Sequence, residues 1–401
     1  RKISALYTPY NYEMGVDLAC HECGMVEHAE EEITIGGEAL HAQVAEGAPH
    51  PRETPVLFGQ AKAEADFLDA FGAGRLHSGW LITGPRGVGK ATLAWKIATF
   101  LLAGGEPGLF GDPTLTVDPD HPDARLVQAG AHPRLSLIRR PWDDKTKKLK
   151  TEITVDAVRS LKTFFQMSSA DGGRRVVIVD AADELNRNAA NAILKELEEP
   201  PAKTTILLIA HQPSRLLPTI RSRCRELRCA RLGVDDLQQA LAQAGHPSAQ
   251  SESLATLAGG SAGDAIRLLN HDGLPLYAEL IKVLDGLPRV DRPAALRIAD
   301  ACAGRGADVR FGLTLDLIDL FLSRAARAGL MGEPDAQGAP GEARLLARIA
   351  PDDRAARAWA QLQQDLTDRS RHGRAVNLDP AALILDMIFK IEETAHATAA
   401  A

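Results

Sequence analysis

A glycine-rich segment that begins at Gly84 has the residue types and the spacing of a phosphate-binding loop. Gly84 is followed by Gly87, Gly89 and Lys90 in the order GxxxxGK. The glycines let backbone N–H groups turn inward around phosphate oxygens, and the start of a following helix adds partial positive charge. Lys90 would reach the β- and γ-phosphates of a nucleotide. The alternative is a glycine-rich turn that holds no ligand.

The pattern around this segment favours the phosphate loop. The apolar residues 80–82 before it are typical of a short buried strand, and residues 91–102 after it have the apolar spacing of a helix. Strand, glycine loop and helix in that order are the context in which such a motif binds nucleotides. The residues predicted to bind nucleotide are Gly84, Pro85, Arg86, Gly87, Val88, Gly89, Lys90, Ala91, Thr92 and Asp180.

One ligand for magnesium is absent from this segment. A serine or threonine hydroxyl normally follows the lysine and ligates Mg²⁺, but here that residue is Ala91. Thr92 comes one position later, about 100° around the helix, and is therefore a poor substitute. We expect magnesium-dependent binding of ATP or ADP to be weakened, although not necessarily lost.

The carboxylate that should activate water is absent as well. Asp180 ends an apolar strand pattern and could hold Mg²⁺ through water, but the catalytic carboxylate that normally follows is replaced by Ala181. Asp183 and Glu184 lie in the following turn, where a solvated helix cap is favoured over a catalytic role. A site with these two losses is expected to hydrolyse ATP very slowly.

Apolar periodicity predicts that strands and helices alternate up to about residue 230. Helices are predicted at 63–76, 91–102, 155–168 and 188–198, and buried strands at 80–82, 176–179 and 204–210. Residues 135–140 and 152–156 are interpreted as two strands around a charged turn, and residues 104–135 as an irregular connection. Such alternation indicates a parallel sheet with helices on both faces.

Beyond residue 230 the patterns are helical, which divides the chain. We predict a poorly ordered leader at 1–52, an α/β P-loop domain at 53–230, a small helical segment at 231–273 and a larger one at 274–401. A chain of 401 residues is too long for one compact core.

Bulk composition disfavours several classes of protein. The net charge of −7 argues against a nucleic-acid coat protein, and 4% aromatic residues offer no base-stacking platform. The chain shows no run of 18 apolar residues, no secretory signal and no disulfide framework among five cysteines, which favours a cytoplasmic protein. Cys20 and Cys23 form a CxxC without a second pair at zinc spacing, and residues 95–175 contain no cysteine, so we predict no zinc and assign no metal ligands, with magnesium at the nucleotide site left open.

Three stretches carry a resemblance to a known family: residues 84–94 (GPRGVGKATLA), 176–201 (VVIVDAADELNRNAANAILKELEEPP) and 216–224 (LLPTIRSRC). Residues 53–231 resemble the AAA+ module of bacterial DNA polymerase III clamp-loader subunits, in particular the delta-prime branch. The likeness extends more weakly over 232–401. The resemblance implies an AAA+ P-loop sheet, a helical lid at 231–273 and a helical collar for oligomerisation at 274–401.

The resemblance also implies a role. In that family a non-motor subunit belongs to a five-subunit ring that places a sliding clamp on primed DNA. The arginine of its Ser-Arg-Cys triplet reaches the ATP site of a neighbouring subunit, so by that match Arg223 is the catalytic arginine finger, acting in trans. The alternative is that Arg223 pairs with a carboxylate on its own surface.

The competing function is an active AAA+ ATPase, either a motor clamp-loader subunit or a related remodeller. The polar sensor positions of the family fall here on Ala210 and Gly263, which favours the non-motor subunit. A stand-alone DNA-binding protein is disfavoured by the acidic net charge. The basic run at 139–150 leaves a DNA contact open, but its interleaved acidic residues favour a solvated face.

Overall fold

The computed structural model describes residues 34–35, 38–39, 48–105, 114–143, 145, 148–167, 172–304 and 306–399. The CxxC motif of Cys20 and Cys23 and nearly all of the predicted leader lie outside these residues. The same holds for Lys147 in the basic run.

A parallel five-stranded sheet dominates the first half of the chain. The strands that the structure describes are β1 (Thr34–Ile35), β2 (Glu38–Ala39), β3 (Gly79–Thr83), β4 (Leu135–Arg139), β5 (Trp142–Asp143), β6 (Lys148–Leu149), β7 (Arg175–Asp180), β8 (Thr204–Ala210) and β9 (Arg225–Arg228). Five of these strands form the parallel sheet. The helices of this half are α1 (Ala61–Gly72), α2 (Lys90–Leu102), α3 (Pro122–Gln128), α4 (Val155–Met167), α5 (Arg187–Glu198) and α6 (Pro218–Arg221). The sheet has the strand order β4-β7-β8-β3-β9, with every neighbouring pair parallel.

Helices cover both faces of this sheet, as the sequence predicts. Trp80 and Ile82 of β3 pack on the side of α1, α2 and α3, whereas Leu81 packs on the side of α4, α5 and α6. All five residues of β3 and all seven of β8 are buried. Strands covered on both sides need consecutive apolar residues, which explains the unbroken runs at 80–82 and 204–210.

Beyond residue 230, the regular elements that the structure describes are all helices. These helices are α7 (Val234–Gln243), α8 (Ser251–Ala258), α9 (Ala262–Asn270), α10 (Gly273–Leu284), α11 (Arg292–Asp300), α12 (Asp308–Met331), α13 (Glu342–Ile349), α14 (Asp353–Ala375) and α15 (Pro380–Ala399). They share one apolar core, which includes the fully buried Trp359. Among the described residues no helix is both long enough and apolar enough to cross a membrane. The division at 230 and 273 stays a prediction.

A buried carboxylate joins three of these helices. Glu342, fully buried at the start of α13, accepts hydrogen bonds from the Tyr277 hydroxyl of α10 at 2.6 Å and from Arg324 Nε of α12 at 2.5 Å. The backbone N–H of Gly338 donates to the same carboxylate. A buried charge is tolerated only when it is paired and hydrogen-bonded, so this network fixes the connection between α12 and α13 against α10.

Two predictions from the sequence are wrong at this level, and one element, strand β9, is not predicted at all. Residues 152–156 do not form a strand: the hairpin is the shorter pair β5 and β6, and Val155 already begins α4. The connection at 104–135 is not wholly irregular, because Pro122 at the first turn and the His121 side chain, which caps Asp123 N, start helix α3. Strand β9 has no apolar run that could predict it, since of its four residues only Leu227 is buried.

The packing of α12 against α14 generates a stability prediction. A Cβ at Gly329 would meet the Asp352 carbonyl oxygen at 2.7 Å and the Ala356 Cβ at 2.8 Å, so Gly329→Ala must force the helices apart. We expect a loss of about 1–3 kcal/mol in the free energy of unfolding, measured by urea denaturation. Gly312→Ala in the same helix is the control, because its added Cβ meets only Arg267 at 4.0 Å. That variant should gain about 0.5–1 kcal/mol. Equal effects of the two substitutions would contradict the packing argument.

Candidate functional site

The predicted phosphate loop connects β3 to α2. Gly84, Gly87 and Gly89 have φ angles of 141°, 69° and 99°, in the region that favours glycine. A Cβ at Gly84 would meet the carbonyl oxygen of Cys229 at 2.5 Å, so this position also needs glycine for space. Lys90 is the first residue of α2 and is 3% exposed. The strand, loop and helix predicted from the motif are therefore all present.

A cavity of about 260 Å³ lies over this loop. Of the ten predicted nucleotide-binding residues, those that line the cavity are Gly87, Val88, Gly89, Lys90, Ala91, Thr92 and Asp180. Gly84, Pro85 and Arg86 belong to the loop but do not line the cavity. One wall is apolar and includes Leu57, Trp95 and Ile266, so the cavity offers an apolar compartment beside a phosphate-binding loop.

Several cavity residues have no signal in the sequence motif. His50 lies with its ring 5.6 Å from the ring of Trp95, edge to face, and Arg139 and His211 also line the cavity. They arrive from the segment before α1 and from the ends of β4 and β8. A single-sequence pattern cannot find them, because it is the strand order that brings these chain segments to one edge of the sheet.

Lys90 and Asp180 face the same cavity and influence each other. The Lys90 ammonium donates a hydrogen bond to the carbonyl oxygen of Pro85. Burial lowers the pKa of Lys90 to about 8, while the thiol of Cys229 and the carboxylate of Asp180 act in the opposite direction. Burial, and then the nearby Glu184 carboxylate, raise the pKa of Asp180 to about 6, against the opposing charge of Lys90.

The carboxylates after Asp180 have other partners. Asp183 accepts hydrogen bonds from the backbone N–H groups of His211 and Gln212, both at 3.1 Å, and so fixes the chain just after β8. The interpretation of Asp183 as part of a solvated helix cap is therefore wrong. The side chain that caps α5 is Asn186, which accepts from Ala189 N at 2.9 Å.

Glu184 is engaged in ion pairs instead of being solvated. Its carboxylate lies 3.4 Å from Arg86 of the phosphate loop and 2.9 Å from Arg140, and its side chain is 12% exposed. The position directly after Asp180 is Ala181, which is buried. Neither Asp183 nor Glu184 therefore replaces the water-activating carboxylate that is missing from the sequence.

The lid helix α9 lies directly on the phosphate loop. The backbone N–H of Gly263 donates to the Gly87 carbonyl at 3.2 Å, and a Cβ at Gly263 would lie 3.2 Å from the Gly87 Cα. Ser261 caps the helix by accepting from Asp264 N at 3.0 Å. Glycine at 263 permits this approach, at the position where the family resemblance implies a sensor arginine.

Gln60 provides a second link that the sequence did not reveal. Its buried side-chain amide donates to the Val88 carbonyl at 3.0 Å and to the Ala230 carbonyl at 2.9 Å. The Gln60 side-chain oxygen accepts from Ala230 N at 2.9 Å. One residue thus joins the phosphate loop to the segment that leads into the lid.

Arg223 lies beside the opposite end of strand β3 from the phosphate loop. A Cβ on Gly79, at the amino end of β3, would lie 3.3 Å from the Arg223 carbonyl oxygen, whereas the loop begins after the carboxyl end of β3. Those two ends are about 13 Å apart at ~3.3 Å per residue. The Arg223 guanidinium pairs with the Glu198 carboxylate at 2.7 Å. Within this chain Arg223 therefore pairs with a carboxylate on its own surface, as the alternative to the arginine finger predicts.

Comparison with known proteins supports the family resemblance over part of the chain. Residues 59–232 match the model of a family described as "DNA polymerase III, delta subunit". This confirms the family resemblance over that segment. DNA polymerase III subunit delta' of Pseudomonas aeruginosa is 36% identical over 215 residues, which cover 53% of this chain and 60% of the relative. The Escherichia coli subunit of the same name is 35% identical over 162 residues, 39% of this chain and 43% of the relative.

Proteins named as tau and gamma-related subunits match as well. DNA polymerase III subunit tau of Escherichia coli is 30% identical over 227 residues, which cover 55% of this chain and 33% of that protein. A solved gamma subunit-related protein of Thermotoga maritima covers 82% of this chain and all of its own, at 18% identity and a TM-score of 0.32. The matches span between 33% and 60% of the length of these three curated relatives. Over the matched segments this chain is homologous to DNA polymerase III subunits named delta' and tau.

The buried carboxyl of Asp180 generates a pH prediction. The pKa of Asp180 in the folded chain, about 6, lies above the ordinary value of 3.8. Below about pH 4 the group is protonated in both the folded and the unfolded chain and does not affect the free energy of unfolding. As pH rises from about 4 through 6, the unfolded chain releases this proton first, so the free energy of unfolding falls. Asp180→Asn removes that loss of stability. Between pH 4 and pH 7.5 the variant should gain about 1–3 kcal/mol in unfolding free energy relative to wild type, measured by urea denaturation. Asp69→Asn, on the exposed side of α1, is the control and should show no such gain. A difference from wild type that is the same at both pH values would contradict the prediction.

Proposed function

We propose that this chain is a delta-prime-like, non-motor AAA+ subunit of the DNA polymerase III clamp loader that donates Arg223 to the ATP site of a neighbouring subunit. The observation that carries the proposal is the separation of two groups on one sheet. The phosphate loop follows the carboxyl end of β3, and Arg223 lies against its amino end. Arg223 therefore serves a phosphate that another chain holds.

A head-to-tail ring gives this separation a use. In a heterologous interface, two different surfaces of neighbouring subunits meet, so an edge that bears an arginine can face an edge that bears a phosphate loop. An arginine placed there stabilises charge on a transferring γ-phosphate. The same arrangement leaves the chain's own cavity dispensable for hydrolysis, in agreement with alanine at 91 and 181.

The second candidate function is an active AAA+ ATPase. Two observations favour it: Lys90 and Asp180 face a shared cavity, and the tau and gamma subunits are also relatives. Against it stand Ala91, Ala181 and Gly263, which remove a magnesium ligand, the water-activating carboxylate and the lid sensor. The non-motor function accounts for all three losses, and the motor function for none.

The proposed partners follow from the same assignment. The other clamp-loader subunits complete a five-subunit ring in the cytoplasm, and the sliding clamp and primed DNA are reached through that ring. Weak binding of ATP or ADP in the cavity is compatible with this function, because Lys90 and the loop N–H groups remain. Among the described residues that line the cavity, Asp180 is the one carboxylate that could hold magnesium.

Steady-state ATP hydrolysis by the purified chain separates the two candidates. We expect turnover at background, with and without primed DNA, because nothing after Asp180 activates water. Lys90→Ala should then leave the rate unchanged. DNA-stimulated turnover that Lys90→Ala abolishes would replace the non-motor function with the motor function.

A reconstituted ring tests the arginine directly. Arg223→Ala is expected to slow ATP hydrolysis at the contacted site by about 10³-fold or more, which single-turnover kinetics would resolve. Arg221→Ala, an exposed arginine two residues earlier, is the matched control and should leave the rate near wild type. Identical rates for the Arg223 variant and wild type would reject the trans role.

A further inference from the structure

The turn that presents Arg223 is tightly fixed in its backbone. Arg223 N donates to the Ile220 carbonyl at 3.1 Å, which closes the turn after α6. A Cβ on Gly79 would meet the Cys224 Sγ at 3.1 Å and the Leu197 Cδ2 at 2.8 Å, so the turn packs closely against β3 and α5. The starting point of the Arg223 side chain is therefore set by the core of the domain.

The guanidinium is held at two of its nitrogens. Arg223 Nη1 donates to the Thr219 carbonyl at 3.0 Å, and Nη2 pairs with the Glu198 carboxylate at 2.7 Å. Two contacts on one planar group define its orientation, which reduces the entropy that must be lost when it binds a partner. The side chain nevertheless remains 38% exposed, so it is oriented without being covered.

The position of Glu198 is not explained by the stability of its own helix. Glu198 is the last residue of α5, where the helix dipole favours cations and disfavours carboxylates. Its side chain is 42% exposed, and an ion pair with that exposure contributes little to folding. What Glu198 does accomplish is to hold one arginine of a basic cluster. Within the described part of the chain, Arg221, Arg225 and Arg228 are not seen in ion pairs, and Arg225 lies over the Trp80 ring at 5.4 Å.

We propose that Glu198 is a positioning residue that holds the Arg223 guanidinium in the orientation in which it is presented to the neighbouring ATP site. This inference rests on the proposed trans role of Arg223. Catalysis by a charged group depends on its placement before the reaction starts, and a displacement of about 1 Å can cost up to about 100-fold in rate. Glu198 therefore acts through Arg223 and touches no reacting atom.

The test is a double-mutant cycle on ATP hydrolysis by the reconstituted ring. Glu198→Ala is expected to lower kcat on the order of threefold, with the KM for ATP unchanged, because placement and not nucleotide binding is impaired. The same substitution in an Arg223→Ala background should have no further effect. Glu198→Gln, which keeps the side-chain oxygen that accepts from Nη2, should restore kcat to within about twofold of wild type.

Two controls separate positioning from a structural role. Glu199→Ala removes an exposed carboxylate one residue later and should leave kcat unchanged. The Tm of Glu198→Ala should stay within about 2 °C of wild type, because an exposed ion pair adds little stability. A lowered kcat with an unchanged Tm supports positioning, whereas a parallel fall of both would overturn it.

The remaining outcomes distinguish this inference from the function on which it rests. If Arg223→Ala lowers kcat and Glu198→Ala does not, the trans role stands and the positioning role of Glu198 is rejected. An increase of kcat in Glu198→Ala would also reject it, since Glu198 would then restrain Arg223 instead of presenting it. If Arg223→Ala itself has no effect, both proposals fail.

Discussion

The burial of strand β3 between β8 and β9 is the constraint from which the two candidate sites follow. All five residues of β3 are buried, and the strand is bounded by Gly79 and Gly84. A Cβ at Gly79 would meet Leu197 of α5 at 2.8 Å and Cys224 of the Arg223 turn at 3.1 Å, and a Cβ at Gly84 would meet the Cys229 carbonyl oxygen at 2.5 Å. The length and register of one strand thus set the distance between the phosphate loop and Arg223, the arginine proposed to act in trans.

A second constraint couples the phosphate loop to the helices that follow it. Gly263 and Gly87 approach to backbone contact, and the Gln60 side chain bonds to both Val88 and Ala230. Interiors this closely packed do not deform continuously, so a shift of the loop must be accompanied by a shift of the lid. In a motor subunit such coupling would transmit nucleotide state. In a subunit that does not hydrolyse ATP, the same contacts keep the lid at one angle relative to the sheet.

Much of this arrangement could be predicted from sequence, for identifiable reasons. The phosphate loop and the strand at 204–210 are recognisable from the local sequence pattern, whereas Arg223 is identified only through the family resemblance. The features that could not be predicted depend on tertiary context. Strand β9 has only Leu227 buried and forms because β3 offers an edge, and the Gln60 links join residues 28 and 170 positions apart. The sequence leaves open that Arg223 pairs with a carboxylate on its own surface, and the structure identifies that carboxylate as Glu198, while the finger role stays a proposal.

The persistence of Lys90 and Asp180 needs a separate explanation from catalysis. Each lines the same cavity, and each moderates the electrostatic cost of the other's burial. That moderation is incomplete, because burial still raises the pKa of Asp180 and lowers the pKa of Lys90, so the pair is not retained for the stability of the fold. The two residues are instead compatible with the weak nucleotide binding proposed above, whereas Ala91 and Ala181 stand where the groups that make hydrolysis productive would lie. In this chain the residues that are missing therefore argue against a motor function more strongly than the retained Lys90 and Asp180 argue for it.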